Sequence, residues 1–148
     1  IVSGTGGARR RGGMTEPSRA EEVQAELLRA EKSLDAARSL LKENFLEDAL
    51  SRSYYSILHA ARAALLAEGV SVSSHRAVRR LFGSHLIKPG KLTVRLAKIL
   101  AEEQDDRFLA DYDAWFHAEH DRAEKRVSEA AEFLAAIDLF LRSQGKRQ

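Results

Sequence analysis

The stretch "RFLADYD", residues 107 to 113, contains side chains that could handle a phosphate group. Arg107 offers a cation that could stabilise phosphate, Asp111 a carboxylate that could accept a proton, and Tyr112 a hydroxyl. If the stretch is helical, Asp111 lies one turn after Arg107, and a simple ion pair is the alternative interpretation. The residues therefore predict either a site for a phosphate-containing ligand or a salt-bridged corner.

A second group, "WFHAEHD", contains His117 and His120 with Glu119 and Asp121 nearby. One helical turn between the two imidazoles would suit two ligands of a divalent metal, but a third ligand would have to come from elsewhere. The alternative is the solvated start of the last helix. We therefore regard His117 and His120 as weak metal candidates and predict neither a metal nor another cofactor.

Further candidate residues lie in "SRSYYSILHAARAALLAEG" and in the segment after it. Tyr54, Tyr55 and His59 interrupt an otherwise apolar helical pattern, where they could pack in the core or contact a ligand. His75 and His85 could be caps or surface residues, or they could take part in chemistry. These positions stay candidates until the elements that carry them are placed.

Several enzyme classes are excluded by what the sequence lacks. With no cysteine, the chain has no disulfide, no thiolate metal cage and no cysteine nucleophile, which suits the cytoplasm. There is no GxSxG or HExxH motif, and the glycine-rich start has no flanking strand and helix of a phosphate loop. No apolar run approaches the ~20 residues that cross a bilayer, so no membrane partner is expected.

The charge of the chain is concentrated in its first residues. The whole sequence carries a formal charge of +2, but without Arg9, Arg10 and Arg11 it has 21 basic and 22 acidic residues. We expect residues 1–13 to be a disordered leader or an expression scar, 14–145 to form one helical domain, and 146–148 to be a tail. The domain itself should have no bulk field that attracts polyanions.

The elements that must position these residues are helices. A capping box at Ser18 and Glu21 should start the first, and Asn44 with Glu47 should cap the second, which ends at Gly69. Shorter helices should cover about 75–85 and 91–104, leaving "RFLADYD" in a polar connection before a long last helix. Apolar residues at spacings of three and four mark the first and last helices: Val23, Leu27, Ala30, Leu34, Ala37, Leu41, and Val127, Ala130, Leu134, Ile137, Leu141. The pattern predicts an all-α, antiparallel up-and-down bundle of about five helices.

The order of these motifs resembles the HEPN superfamily, the helical "higher eukaryotes and prokaryotes nucleotide-binding" domains, in particular a small, largely uncharacterised prokaryotic subgroup. The resemblance covers about residues 20 to 142. It rests on the tyrosine pair before "HAARA", a histidine after the serine loop, a phenylalanine about seven residues later, and an arginine before Asp-Tyr.

The resemblance implies a homodimer with a shared cleft that contacts RNA or a nucleotide. Many members are metal-independent ribonucleases that use an arginine and a histidine four to six residues apart. Arg107 occupies the arginine position, but Tyr112 stands where the histidine belongs, and tyrosine exchanges protons poorly near neutral pH. Tyr54, Tyr55, His59 and His75 are the further cleft candidates. Whether the chain is an enzyme therefore stays open.

Three functions follow as alternatives. The leading one is a partner of a minimal nucleotidyltransferase in a toxin–antitoxin-like pair, in which the resemblance makes Tyr112 the matching acceptor of adenylyl groups. The second is a metal-independent endoribonuclease with a variant Arg-Tyr site at Arg107, Asp111 and Tyr112. The third is a structural helical adaptor. Phe108, Trp115 and Phe116 could form the dimer contact or belong to the core.

Overall fold

The computed structural model describes residues 16–145, and its regular structure consists of five α-helices and one π-helical turn. The helices are α1 (Arg19–Lys42), α2 (Leu46–Ala67), α3 (His75–Phe82), α4 (Val94–Tyr112) and α5 (His120–Ser143), and the π-helical turn Gly83–Ile87 follows α3 directly. The predicted all-α helical bundle of about five helices is confirmed for this part of the chain. The predicted leader, 1–13, and tail, 146–148, lie outside the described residues.

The capping box that starts α1 forms as predicted. The Ser18 hydroxyl accepts a hydrogen bond from the Glu21 backbone N–H at 3.1 Å, and the Glu21 carboxylate accepts one from the Ser18 N–H at 2.8 Å. The predicted cap of α2 is wrong, because Asn44 adopts a left-handed φ of 66° as the chain leaves α1, and Phe45 precedes α2 without a side-chain cap. The predicted apolar stripe of α1 is its buried face, except that Leu41 is only half-buried.

The central element is α2, which packs against all four other helices. Its alanines leave little side-chain bulk, so neighbouring helices can approach closely. Buried polar groups in this seam need partners: the Ser56 hydroxyl donates a 2.8 Å hydrogen bond to the Ala30 carbonyl of α1. Side chains at the edge of α2 are therefore held by a tightly packed, rigid helix.

The end of α4 differs from the prediction. The helix continues to Tyr112 instead of ending near Gln104, so "RFLADYD" forms its last turns and not a connection. No glycine or proline interrupts the segment, and Asp106, the residue just before it, is buried against partners on α5. That tertiary contact extends a helix whose local sequence looked polar. Within residues 16–145, no helix has the length and apolar character needed to cross a membrane.

Candidate functional site

Arg107 lies near the end of α4, and its guanidinium is surrounded by tyrosine rings. The guanidinium carbon is 5.1 Å from the ring centre of Tyr54 and 5.8 Å from those of Tyr55 and Tyr112. Asp111 is 3.5 Å away, one helical turn along α4. The side chain is only 13% exposed, and its Nε has no hydrogen-bond partner among the described residues. Arg107 is thus held by aromatic faces and one long ion pair, with donor capacity left over.

The two tyrosines of α2 differ in their surroundings. Tyr54 is buried in the core, whereas Tyr55 is half-buried, and their rings meet edge to face at 5.5 Å. Burial raises the pKa of the Tyr54 hydroxyl, and the nearby charge of Arg107 only partly opposes this. Tyr54 therefore stays neutral and anchors the arginine, and Tyr55 presents the accessible ring.

His75 contacts the same two tyrosines. It is the first residue of α3, which Ser74 caps by accepting a 3.2 Å hydrogen bond from the Ala77 N–H. Its ring centre lies 5.7 Å from that of Tyr55 and 6.4 Å from that of Tyr54. Burial lowers the pKa of His75, and repulsion from Arg62, Arg107 and His59 lowers it further. The imidazole is therefore neutral at neutral pH.

An open cleft of about 550 Å³ lies between α1, α2 and the start of α3. Its lining combines cations, two imidazoles and the Tyr55 ring: Arg29, Lys32, Ser33, Ala36, Arg52, Tyr55, Leu58, His59 and His75. None of these described lining residues is acidic. The Arg52 guanidinium lies 4.7 Å from the Tyr55 ring centre. His59 Nδ1 is 2.7 Å from the Glu26 carboxylate. The cleft thus concentrates positive charge that the composition of the whole chain conceals.

A buried ionic network holds the last turns of α4 against α5. Asp106, next to Arg107 in sequence, accepts hydrogen bonds from Arg122 and Arg126. Arg126 also donates to Glu129 at 2.8 Å. Although burial acts to raise the pKa of Asp106, the two guanidinium groups more than offset it and lower the pKa overall. The backbone that carries Arg107 is therefore fixed by paired charges.

The structure brings most predicted site residues together. Arg107, Asp111, Tyr112, Tyr54 and Tyr55 form one cluster, joined by His75 through its ring contacts. The remaining cleft candidate, His59, lies one turn after Tyr55 and faces the cleft.

The two weak metal candidates, His117 and His120, lie around the start of α5. His117 and His120 do not share a helical turn, because α5 begins only at His120. The ligand atoms of His120, Asp121 and Glu124 lie within 4.8 Å of one another, but all three residues are exposed on the first turns of α5. His117 takes no part in this group.

The aromatic residues around the end of α4 face outward. Trp115 is 89% exposed and Phe108 60% exposed, so neither belongs to the core of this chain. Phe116 is half-buried beneath the Arg122 guanidinium, 5.2 Å from its ring centre. The intramolecular-core alternative is therefore wrong for Trp115.

The cations of the cleft were not among the predicted site residues. Arg29 and Lys32 lie on the charged face of α1, which the sequence marks only as solvated, and Arg52 precedes the "SYY" motif. Their one detectable signal is the spacing of three residues between Arg29 and Lys32, which places both on one side of a helix. Their convergence on Tyr55 depends on the packing of α1 against α2.

Comparison with known proteins relates most of the helical bundle to one family. The HEPN domain family model matches residues 23–140. A UPF0332 protein of Gloeobacter violaceus is 37% identical over 121 residues, which cover 81% of this chain and 96% of that protein. A protein of Methanocaldococcus jannaschii named "Putative toxin" is 32% identical over 123 residues, 83% of this chain and 84% of its own length. A UPF0332 protein of Thermotoga maritima is 34% identical over 110 residues, 74% of this chain and 83% of the relative.

Proposed function

Because the chain belongs to the HEPN domain family, we propose that it is a toxin-like HEPN module whose cleft beside Arg107 contacts RNA or a nucleotide. Its toxin-like role is supported by the name of the similar protein from Methanocaldococcus jannaschii. The ligand class is supported by the chemistry of the site. A tyrosine face stacks on a base, and guanidinium groups bind phosphate oxygens, which is the combination used by proteins that bind single-stranded nucleic acid.

One observation carries this proposal: a half-buried arginine with spare donors adjoins a cleft lined by three cations and no acid. Arg29, Lys32 and Arg52 make no ion pair with a described residue, so their charge is available to a polyanion. Tyr55 connects the two parts, because it lines the cleft and also contacts Arg107. A purely structural corner would pair its charges internally, as the Asp106 network does.

The proposed protein partner is a minimal nucleotidyltransferase, and the proposed assembly is a homodimer. Tyr112 is 67% exposed beside Arg107, as an acceptor of adenylyl groups must be. The exposed Phe108 and Trp115 lie at the same end of α4 and supply apolar surface for a second copy. Co-expression with a nucleotidyltransferase should add adenylyl groups to the wild-type protein and not to Tyr112→Phe, as judged by intact mass and peptide mapping.

A metal-independent endoribonuclease is the second candidate function. The observation that favours it is the unsatisfied Arg107 Nε, because a buried donor without a partner suits a phosphate that arrives with the substrate. Tyr112 does not provide the proton exchange that such cleavage requires, so another residue would have to supply it.

The test of RNA contact compares Arg107→Ala with Arg142→Ala in the full chain. Arg142 pairs with Asp138 across one turn of α5, much as Arg107 pairs with Asp111, and it is absent from the cleft. Loss of a charge-assisted contact of about 1.5–3 kcal/mol should weaken binding of a fluorescent single-stranded RNA by about tenfold or more in Arg107→Ala alone. Equal affinities in both variants and the wild type would reject the Arg107 cleft and favour the structural adaptor.

A further inference from the structure

We propose that His75 is the proton-accepting catalytic residue of a composite ribonuclease site in which Arg107 holds the scissile phosphate and Tyr55 supports the base. The inference deepens the ribonuclease candidate above and depends on it. It assigns the missing imidazole to the start of α3, about thirty residues before Arg107 in sequence, instead of to the helix that carries the arginine.

His75 and Arg107 both lie next to the ring of Tyr55. The centre of the Tyr55 ring is 5.7 Å from the His75 ring and 5.8 Å from the Arg107 guanidinium carbon. His75 also lines the cationic cleft, so a ligand in the cleft reaches its imidazole directly. Among residues 16–145, His75 is the histidine whose ring packs against the rings of Tyr54 and Tyr55.

The charges around His75 keep it available as a base. It faces His59 and Arg62 on α2 and Arg107 on α4, and the cleft adds Arg29 and Lys32 from α1 and Arg52 from α2. Of the nearby acidic groups, Glu26 of α1 is paired with His59, and Asp111 of α4 is paired with Arg107. Burial and these cations lower the pKa of His75 below its ordinary value of 6.5, so the free protein holds the imidazole unprotonated. A bound phosphate would offset the cations and strengthen the base when substrate is present.

The reaction needs no metal or redox partner. The neutral imidazole of His75 accepts the proton of a ribose 2′-hydroxyl as that oxygen forms a bond to the adjacent phosphorus. The bond from phosphorus to the 5′-oxygen of the next nucleotide breaks, and that oxygen takes a proton from water. Arg107 balances the negative charge on the non-bridging oxygens. The products are a 2′,3′-cyclic phosphate and a 5′-hydroxyl, and imidazolium returns its proton to solvent.

The test compares His75→Gln with His85→Gln in the full chain, with chelator present. His85 is exposed on the π-helical turn and does not line the cleft, so it controls for loss of a histidine. Cleavage of a single-stranded RNA should fall about 10²-fold to 10⁴-fold in His75→Gln and stay unchanged in His85→Gln. The wild-type rate should rise with pH through the pKa of His75, and this limb should be absent from any residual activity of His75→Gln.

A second measurement separates a catalytic role from a structural one. Binding of a 2′-O-methyl RNA, which lacks the reacting hydroxyl, should be nearly unchanged in His75→Gln, with a thermal midpoint close to that of the wild type. A 2′-O-methyl RNA should also raise the pKa of the His75 imidazole, measured by NMR titration. Failure of the wild type to cleave RNA, or equal cleavage by both histidine variants, overturns the assignment of His75. Arg107-dependent RNA binding would in either case leave the proposed toxin-like RNA contact standing.

Discussion

The sharpest stability prediction concerns Glu103, a carboxyl group of α4 that is 1% exposed. Neither of its carboxylate oxygens accepts a hydrogen bond from a described donor, whereas the protonated form can donate one to the nearby carboxylate of Glu129. Burial, and then the nearby carboxylate of Glu129, raise the pKa of Glu103 well above its usual range, and Arg126 only partly opposes them. The folded protein therefore holds Glu103 protonated under conditions in which the unfolded chain has lost that proton.

The sign and size of the effect follow from proton linkage. Because the folded pKa is raised, the stability from Glu103 is fully present below its unfolded pKa and is lost as pH rises toward the folded pKa. Within that window each pH unit removes about 1.4 kcal/mol from the free energy of unfolding. Glu103→Gln keeps the shape of the protonated side chain and removes the titration. The free energy of unfolding of the variant should therefore increase relative to that of the wild type as the pH rises above the unfolded pKa of glutamate, about 4.3.

Urea unfolding at several pH values measures this difference, with Glu124→Gln as the control because Glu124 is exposed on α5. Differences between variant and wild type isolate Glu103 from every other titrating group. A stability difference between Glu103→Gln and wild type that stays constant from pH 5 to pH 7 would refute the buried, protonated carboxyl. For Glu124→Gln the stability difference from the wild type should not change with pH, because Glu124 is an exposed side chain on α5.

Two further substitutions test the supports of the site. Asp106→Ala should lower the free energy of unfolding by about 3–5 kcal/mol in urea titration, because it leaves the buried Arg126 without its main partner; a loss below about 1 kcal/mol would show that the network contributes little. Gly69→Ala should cost about 1 kcal/mol, measured as a lower thermal midpoint, because Gly69 has a φ of 82° that L-residues rarely adopt. Gly83→Ala is its control, since Gly83 has a right-handed helical conformation and open space where a Cβ would lie. Equal effects of the two substitutions would contradict the argument.

The sequence patterns predicted the helices well because burial follows local periodicity. The stripe of α1, the Ser18 cap and the stop at Gly69 all depend on residues a few positions apart. The predicted end of α4 was wrong, because the contacts that extend the helix are distant in sequence. Asp106 looks like a loop residue by itself, and its partners Arg122 and Arg126 are 16 and 20 residues away. Local pattern carries no information about such a pairing.

The candidate site was also predicted only in part: residue types indicated some members, and tertiary packing determines the others. The tyrosine pair and Arg107 stood out by residue type, and "SYY" and "RFLADYD" therefore predicted cluster members. The role of the α1 cations could not be predicted in this way. Arg29 and Lys32 resemble the residues of any solvated helix face, and their place in the cleft depends on the packing of α1 against α2. His75 was ambiguous between a cap and a catalyst, since its distance to Tyr55 is set by how α3 folds back onto α2.

The neighbours Asp106 and Arg107 explain why a costly buried network lies beside the site. Successive helical residues point about 100° apart, so Asp106 can face α5 while Arg107 faces the tyrosines of α2. Ion pairs buried in this way give little net stability, but they fix position strongly. A guanidinium held mainly by aromatic faces has no such directional restraint of its own. The position of Arg107 therefore depends on the charges anchored one residue earlier, which place its spare donors beside the cleft.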